Sequence, residues 1–260
     1  MNSAVFVNGQ FAGEWKYGYT AFEFDITPFV KDGENLVEVI CVYQNPNTRW
    51  YSGAGIFRDV ELIISNEARI ACDGIYFSAK NTDGSTEWQV KIQTEVRGKY
   101  EGCSVKHVIF PYHDNTENAL KLYDERHESE ICKIKQPVMG TAFDGEEKIL
   151  LETTTAVVKN PALWDTEAPS VYNLQTVIVK DGKTIDRYAQ QVGFRTIEFD
   201  SCKGLFVNGK NVKIHGVCEH HDFGSLGSAF NIVALKRKFL RLKEMGVNAV
   251  RTSHNPQTKE

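Results

Sequence analysis

Apolar and polar positions alternate through the first part of the chain, and turn residues cut the alternation into short runs. Val5 and Val7 precede Asn8-Gly9, a dipeptide suited to a two-residue hairpin turn. Phe22, Phe24 and Ile26 alternate before Thr27-Pro28, a Lys31-Asp32-Gly33 turn leads into residues 36–42, and residues 60–64 close the stretch. Period-two patterning in runs of this length predicts strands of a β-sandwich. Seven further strand-like runs follow, at 70–79, 88–96, 104–110, 131–136, 148–158, 171–179 and 184–193. Gly, Asn and Asp clusters space them as in an immunoglobulin-like sandwich. Residues 113–130 break the rhythm as a charged insertion, read as a short helix or long loop, and residues 161–169 form a second loop around Trp164.

The period changes near the end. Leu205, Phe206 and Val207, an Asn208-Gly209 turn, then Val212, Ile214 and Val217 predict a hairpin followed by a short buried strand that includes His215. Asn231 is a good N-cap, and Leu235, Phe239, Leu242 and Met245 recur at three- and four-residue spacing before Gly246, where a helix should stop. Residues 247–251 read as another strand. Strand, helix, strand in so short a span is a βαβ unit of a parallel sheet. His220 follows the first strand, and Arg251, Ser253 and His254 end the second. All lie at C-terminal strand ends, the catalytic face if the unit belongs to a (β/α)8 barrel.

Composition adds limits. The 260 residues are 42% apolar and 25% charged, with net charge −4, and the signs are interspersed. Neither nucleic acid nor an anionic membrane is an expected partner. No apolar run approaches a membrane span. The six cysteines are scattered without C-x-x-C pairs, so buried free thiols and a cytoplasmic location are expected.

HGVCEHHDFGSLG at 215–227 and NAVRTSHNP at 248–256 resemble the barrel entry of glycoside hydrolase family 2, and in particular its β-galactosidase-like members. RWYSGAGIFRDV at 49–60 resembles the end of that family's sugar-binding domain, while LWDTEAPSVYNLQ and QVGFRTIEF resemble the end of its sandwich domain. The resemblance covers essentially the whole chain. It implies a mainly β architecture: a partial jelly roll over 1–66, an immunoglobulin-like β-sandwich over 67–200, and the first βαβ of a (β/α)8 barrel over 201–260. A jelly roll has about eight strands, so the front strands are expected to be missing. The sandwich is expected to act as a structural spacer, and Trp164 to pack between domains as the family's does.

The implied activity is retaining exo-β-glycosidase, most closely β-galactosidase, with β-glucuronidase as the enzymatic alternative and a non-catalytic carbohydrate-binding module as the other. Retention needs two carboxyl groups about 5 Å apart. The family carries both on later strands, so no catalytic residue is expected here and the pair is expected beyond Glu260; Glu219 and Asp222 are read as loop residues. The resemblance makes His220 and His254 substrate-binding histidines and places Arg251 facing the nucleophile, where a guanidinium would keep it ionised. His221 is read as supporting or structural. Arg49 and Trp50 are further sugar-contact candidates, with interdomain packing the alternative for Trp50; some β-galactosidases place an acidic residue near Arg49. A zinc set of His215, His220, His221, Asp222 and His254 lacks H-E-x-x-H or paired-cysteine spacing, and the DFGSLGS loop fits no phosphate-binding motif. No metal or cofactor is expected. The expected partner is a β-linked carbohydrate, and homo-oligomerisation of a full-length parent stays open.

Overall fold

The computed structural model describes residues 2–44, 55–81, 84–113, 118–134 and 147–258. These form two compact units, one from the described residues between Ile63 and Lys213, the other from those up to Leu62 together with those from Ile214 onward.

The larger unit is the immunoglobulin-like sandwich. Its strands are β4 (Ala68–Lys80), β5 (Glu87–Gly98), β6 (Cys103–Pro111), β7 (Tyr123–Ile134), β8 (Glu147–Lys159), β9 (Tyr172–Lys180) and β10 (Lys183–Val192). They pair in the orders β4-β5-β8-β7 and β10-β9-β6, the two-sheet arrangement of a constant-type immunoglobulin domain. Alternation puts Trp88, Val90, Ile92 and Val96 of β5 opposite Leu174 and Ile178 of β9 in one core cluster. Phe194, fully buried, meets the rings of Phe77, Trp88 and Tyr172 edge-on, with centroids 5.8, 5.7 and 5.4 Å away. An Asp181-Gly182 turn with both φ angles positive joins β9 to β10, as a two-residue hairpin loop requires. A small antiparallel sheet of β11 (Ile197–Asp200), β12 (Gly204–Val207) and β13 (Lys210–Val212) belongs to the same unit.

The expected insertion at 113–130 is corrected in part. Its second half is strand β7, whose sequence YDERHESEICKI carries charges on both faces. β7 is an edge of its sheet, where charge discourages further strand pairing and leaves no apolar alternation to read. In the 161–169 loop, Trp164 stays half-buried with the Arg195 guanidinium 4.4 Å above its ring.

In the smaller unit, β1 (Asn2–Val7), β2 (Gln10–Trp15) and β3 (Val37–Val42) form an antiparallel sheet in the order β2-β1-β3. The Asn8-Gly9 turn is as expected, with φ of 51° and 77°. Two expected strands are absent from the ladders. Residues 22–26 form no strand; Phe24 and Ile26 instead cover Val5, Val7 and Ala12. Phe24 lies so close over Gly13 that any side chain there would collide with its ring. Residues 60–64 also form no strand, and Val60, Leu62 and Ile64 are exposed. The βαβ unit is present: β14 (Gly216–Glu219), α1 (Ile232–Glu244) and β15 (Ala249–Thr252), with β14 parallel to β15. His215 lies just before β14 rather than within it.

Two predictions concern the sandwich. Phe194→Ala removes the ring that three others pack around and should cost about 3–5 kcal/mol, read as a lower denaturation midpoint by the fluorescence of Trp88. His107 is held neutral by burial, and secondarily by His127, with its pKa lowered from 6.5 to about 4; its Nδ1 meets the Thr176 hydroxyl at 3.0 Å and its Nε2 is buried without a partner. The unfolded chain therefore takes up this proton at higher pH than the folded one. Stability should fall as pH drops from 6.5 to about 4, by about 3 kcal/mol in all. In His107→Gln that part of the pH dependence should disappear from denaturation curves.

Candidate active site

The β14–β15 pair is pinned at both ends. The Asn248 side-chain oxygen accepts from the His215 N–H at 2.8 Å while the Asn248 backbone N–H donates to the His215 carbonyl at 3.0 Å, and the Ser253 N–H donates to the Glu219 carbonyl at 2.8 Å. The register sets Glu219 opposite Thr252, so His220 and the Ser253-His254 step leave the sheet side by side. The helix starts where Asn231 accepts a hydrogen bond from the Ala234 N–H at 2.9 Å and stops at Gly246, whose φ is 84°. Leu235 and Leu242 are half-buried, whereas Phe239 and Met245 are exposed.

At the strand ends the His220 and His254 rings meet edge to face, centroids 5.1 Å apart. Arg251 Nη2 lies 3.5 Å from His254 Nδ1, and its Nη1 donates to Ser253 Oγ at 3.1 Å and points to Cys218 Sγ at 3.7 Å. Ser253 is fully buried. The bond from Arg251, then that involving Ser253, holds the Cys218 thiol below its ordinary pKa. His220, Arg251 and His254 thus form one cluster at the C-terminal ends of adjacent parallel strands.

Glu219 is committed elsewhere. Lys238 of α1 donates to it at 2.7 Å and to the Asp222 carbonyl at 3.2 Å, with its ammonium 5.1 Å above the Phe223 ring. This half-buried ion pair fastens the helix to the strand end. His221 turns away from the cluster and packs against Tyr19 with centroids 5.0 Å apart. It is buried with neither ring nitrogen hydrogen-bonded, and its pKa is lowered first by burial and then by Arg58. His215 and His221 therefore stand apart from His220 and His254, and among the described residues no three His, Cys, Asp or Glu side chains are grouped to hold a metal ion. Arg49 and Trp50 lie outside the described residues.

Sequence reasoning placed Ser253 at the strand end but missed Lys238, Tyr19 and Arg58. Arg58 donates through Nη1 to the Tyr19 carbonyl at 2.8 Å and through Nη2 to the Pro256 carbonyl at 2.6 Å. Backbone acceptors leave no sequence signal, so only the folded chain reveals them. The cluster can offer hydrogen bonds at set angles and a positive charge beside them, which suits a polyhydroxylated ligand and a nearby carboxylate.

Comparison with known proteins bears on what that ligand is. The family model for the glycosyl hydrolases family 2 sugar-binding domain matches residues 2–66, the one described as glycosyl hydrolases family 2 matches 64–195, and the family's TIM barrel domain model matches 199–260. A β-galactosidase of Bacteroides ovatus is 35% identical over the whole chain, which covers 29% of that protein. A β-glucuronidase of Bacteroides fragilis is 32% identical over 97% of the chain and 36% of its own length. Among solved structures, a β-glycosidase from Bacteroides vulgatus superposes with a TM-score of 0.78 at 30% identity, covering 99% of the chain and 30% of that structure. The chain thus spans little more than a third, at most, of the length of these relatives. With three consecutive domain models matched along it, the chain belongs to glycosyl hydrolases family 2.

Proposed function

We propose that these residues belong to a retaining exo-β-glycosidase acting on terminal β-galactosides, and that His220, Arg251 and His254 form part of its sugar site. The observation that carries this reading is the cluster itself, in which two imidazoles and a guanidinium converge at the ends of β14 and β15. Imidazole nitrogens can donate to or accept from sugar hydroxyls, and an arginine beside them would keep a nucleophilic carboxylate ionised. β-Glucuronidase is the second reading, supported by the relative of that activity at 32% identity.

In this reading the residues supply binding and charge, while the acid/base and nucleophilic carboxylates come from residues outside this sequence. Glu219 is assigned neither role in this reading, and its ion pair with Lys238 of α1 supports that assignment. Turnover of nitrophenyl β-glycosides by the full-length protein tests the assignment. The galactoside should be preferred, and preference for the glucuronide would select the second reading. In the full-length protein His254→Ala should lower kcat/KM by about tenfold or more; an unchanged value would remove His254 from the sugar site. The 260-residue chain alone should hydrolyse none of the panel. Any turnover that disappears in Glu219→Gln would make Glu219 a catalytic carboxylate and overturn this placement.

A further inference from the structure

Arg58 lies far from the cluster in sequence, yet it touches the loop that carries His254 and the tyrosine that packs on the loop carrying His220. Pro256, whose carbonyl it binds at 2.6 Å, stands two residues after His254. Tyr19, whose carbonyl it binds at 2.8 Å, packs its ring on His221, the residue after His220. One planar guanidinium therefore braces the His254 loop directly and the His220 loop through one aromatic ring. Its fixed geometry suits this, because a fork of donors bonded to two carbonyls fixes the distance between them. Phe57 supports the fork from the side, its ring 5.1 Å from the guanidinium carbon and 6.1 Å from the Tyr19 ring. A longer contact runs in parallel, Tyr17 Oη to Asn255 Oδ1 at 3.5 Å.

His221 fits the same arrangement. Neither of its buried ring nitrogens has a hydrogen-bond partner, so it acts as a neutral plate between Tyr19 and the strand end. A charged imidazolium there would sit buried beside the Arg58 cation.

From this bracing we propose that Arg58 is a positioning residue for the sugar site, setting the separation and angle of the His220–His254 pair without touching the ligand. The assignment rests on the glycosidase reading only for its effect on catalysis; the bracing itself can be measured without it. Arg58→Ala removes both bonds, whereas Arg58→Lys keeps a cation but loses the planar fork that fixes the two carbonyls relative to each other.

The test has two arms. In the 260-residue chain, exchange of the Ser253 amide, which bonds the Glu219 carbonyl, should quicken about tenfold in Arg58→Ala and by less in Arg58→Lys. The Asn8 amide, bonded to the Leu36 carbonyl in the N-terminal sheet, should keep its wild-type rate. In the full-length protein, kcat/KM should fall about tenfold in Arg58→Ala, mainly through KM, with Arg58→Lys between that variant and wild type. If Arg58→Ala does not fold, Arg58→Lys decides alone. Unchanged Ser253 exchange, loss of Asn8 protection in step with it, or unchanged kcat/KM in a variant whose exchange has quickened would overturn the proposal. A wild-type protein without glycosidase activity would remove the functional reading, and the exchange arm would still decide the bracing.

Discussion

The parallel register of β14 and β15 is the constraint on which the candidate site depends. Side chains alternate along a strand, so a slip of one residue would send His220 or His254 to the opposite face. Asn248 fixes the register at one end by bonding His215 twice, and the Ser253 amide fixes it at the other. Glu219, at the last paired position of β14, pairs its side chain with Lys238. This carboxylate thereby acts as an anchor for the helix. Burial of that ion pair is partial, so its contribution lies in orientation more than in stability.

The sandwich is held by apolar packing, with a few polar groups buried within it. Phe194 sits at the junction of three rings, and edge-to-face contacts of this kind add to the burial of their area. Thr94, Thr154 and Thr176 are nearly or fully buried among the apolar positions, and His107 bonds the last of them. An apolar core is indifferent to protons, so within the core acid sensitivity falls on that histidine, whose pKa burial lowers to about 4.

Much of this was legible in the sequence. β4, β5, β6, β8, β9 and β10 alternate because one face of each is buried, and the Asn-Gly turns and the capped helix carry their own local chemistry. Failures occurred where burial and pattern part company. β7 is charged on both faces because it is an edge. Phe22, Phe24 and Ile26 alternate like a strand, yet two of them cover the sheet without joining it. His220, Arg251 and His254 could be read from their motifs, whereas Arg58 could not, because its acceptors are main-chain carbonyls brought near only by folding.

The hairpin tips also tie distant segments together. At Asn8-Gly9 and at Asn208-Gly209 the asparagine adopts a positive φ, and its side chain reaches beyond the turn. Asn8 bonds the Phe29 carbonyl and the Leu36 N–H, and Asn208 bonds the Trp164 carbonyl and the Thr196 N–H. Each tip is thus both a bend and a latch. Glycine, which is at ease with that backbone, could replace the bend but not the latch. The identity of one turn residue therefore decides whether a loop about twenty to forty positions away is held or left slack.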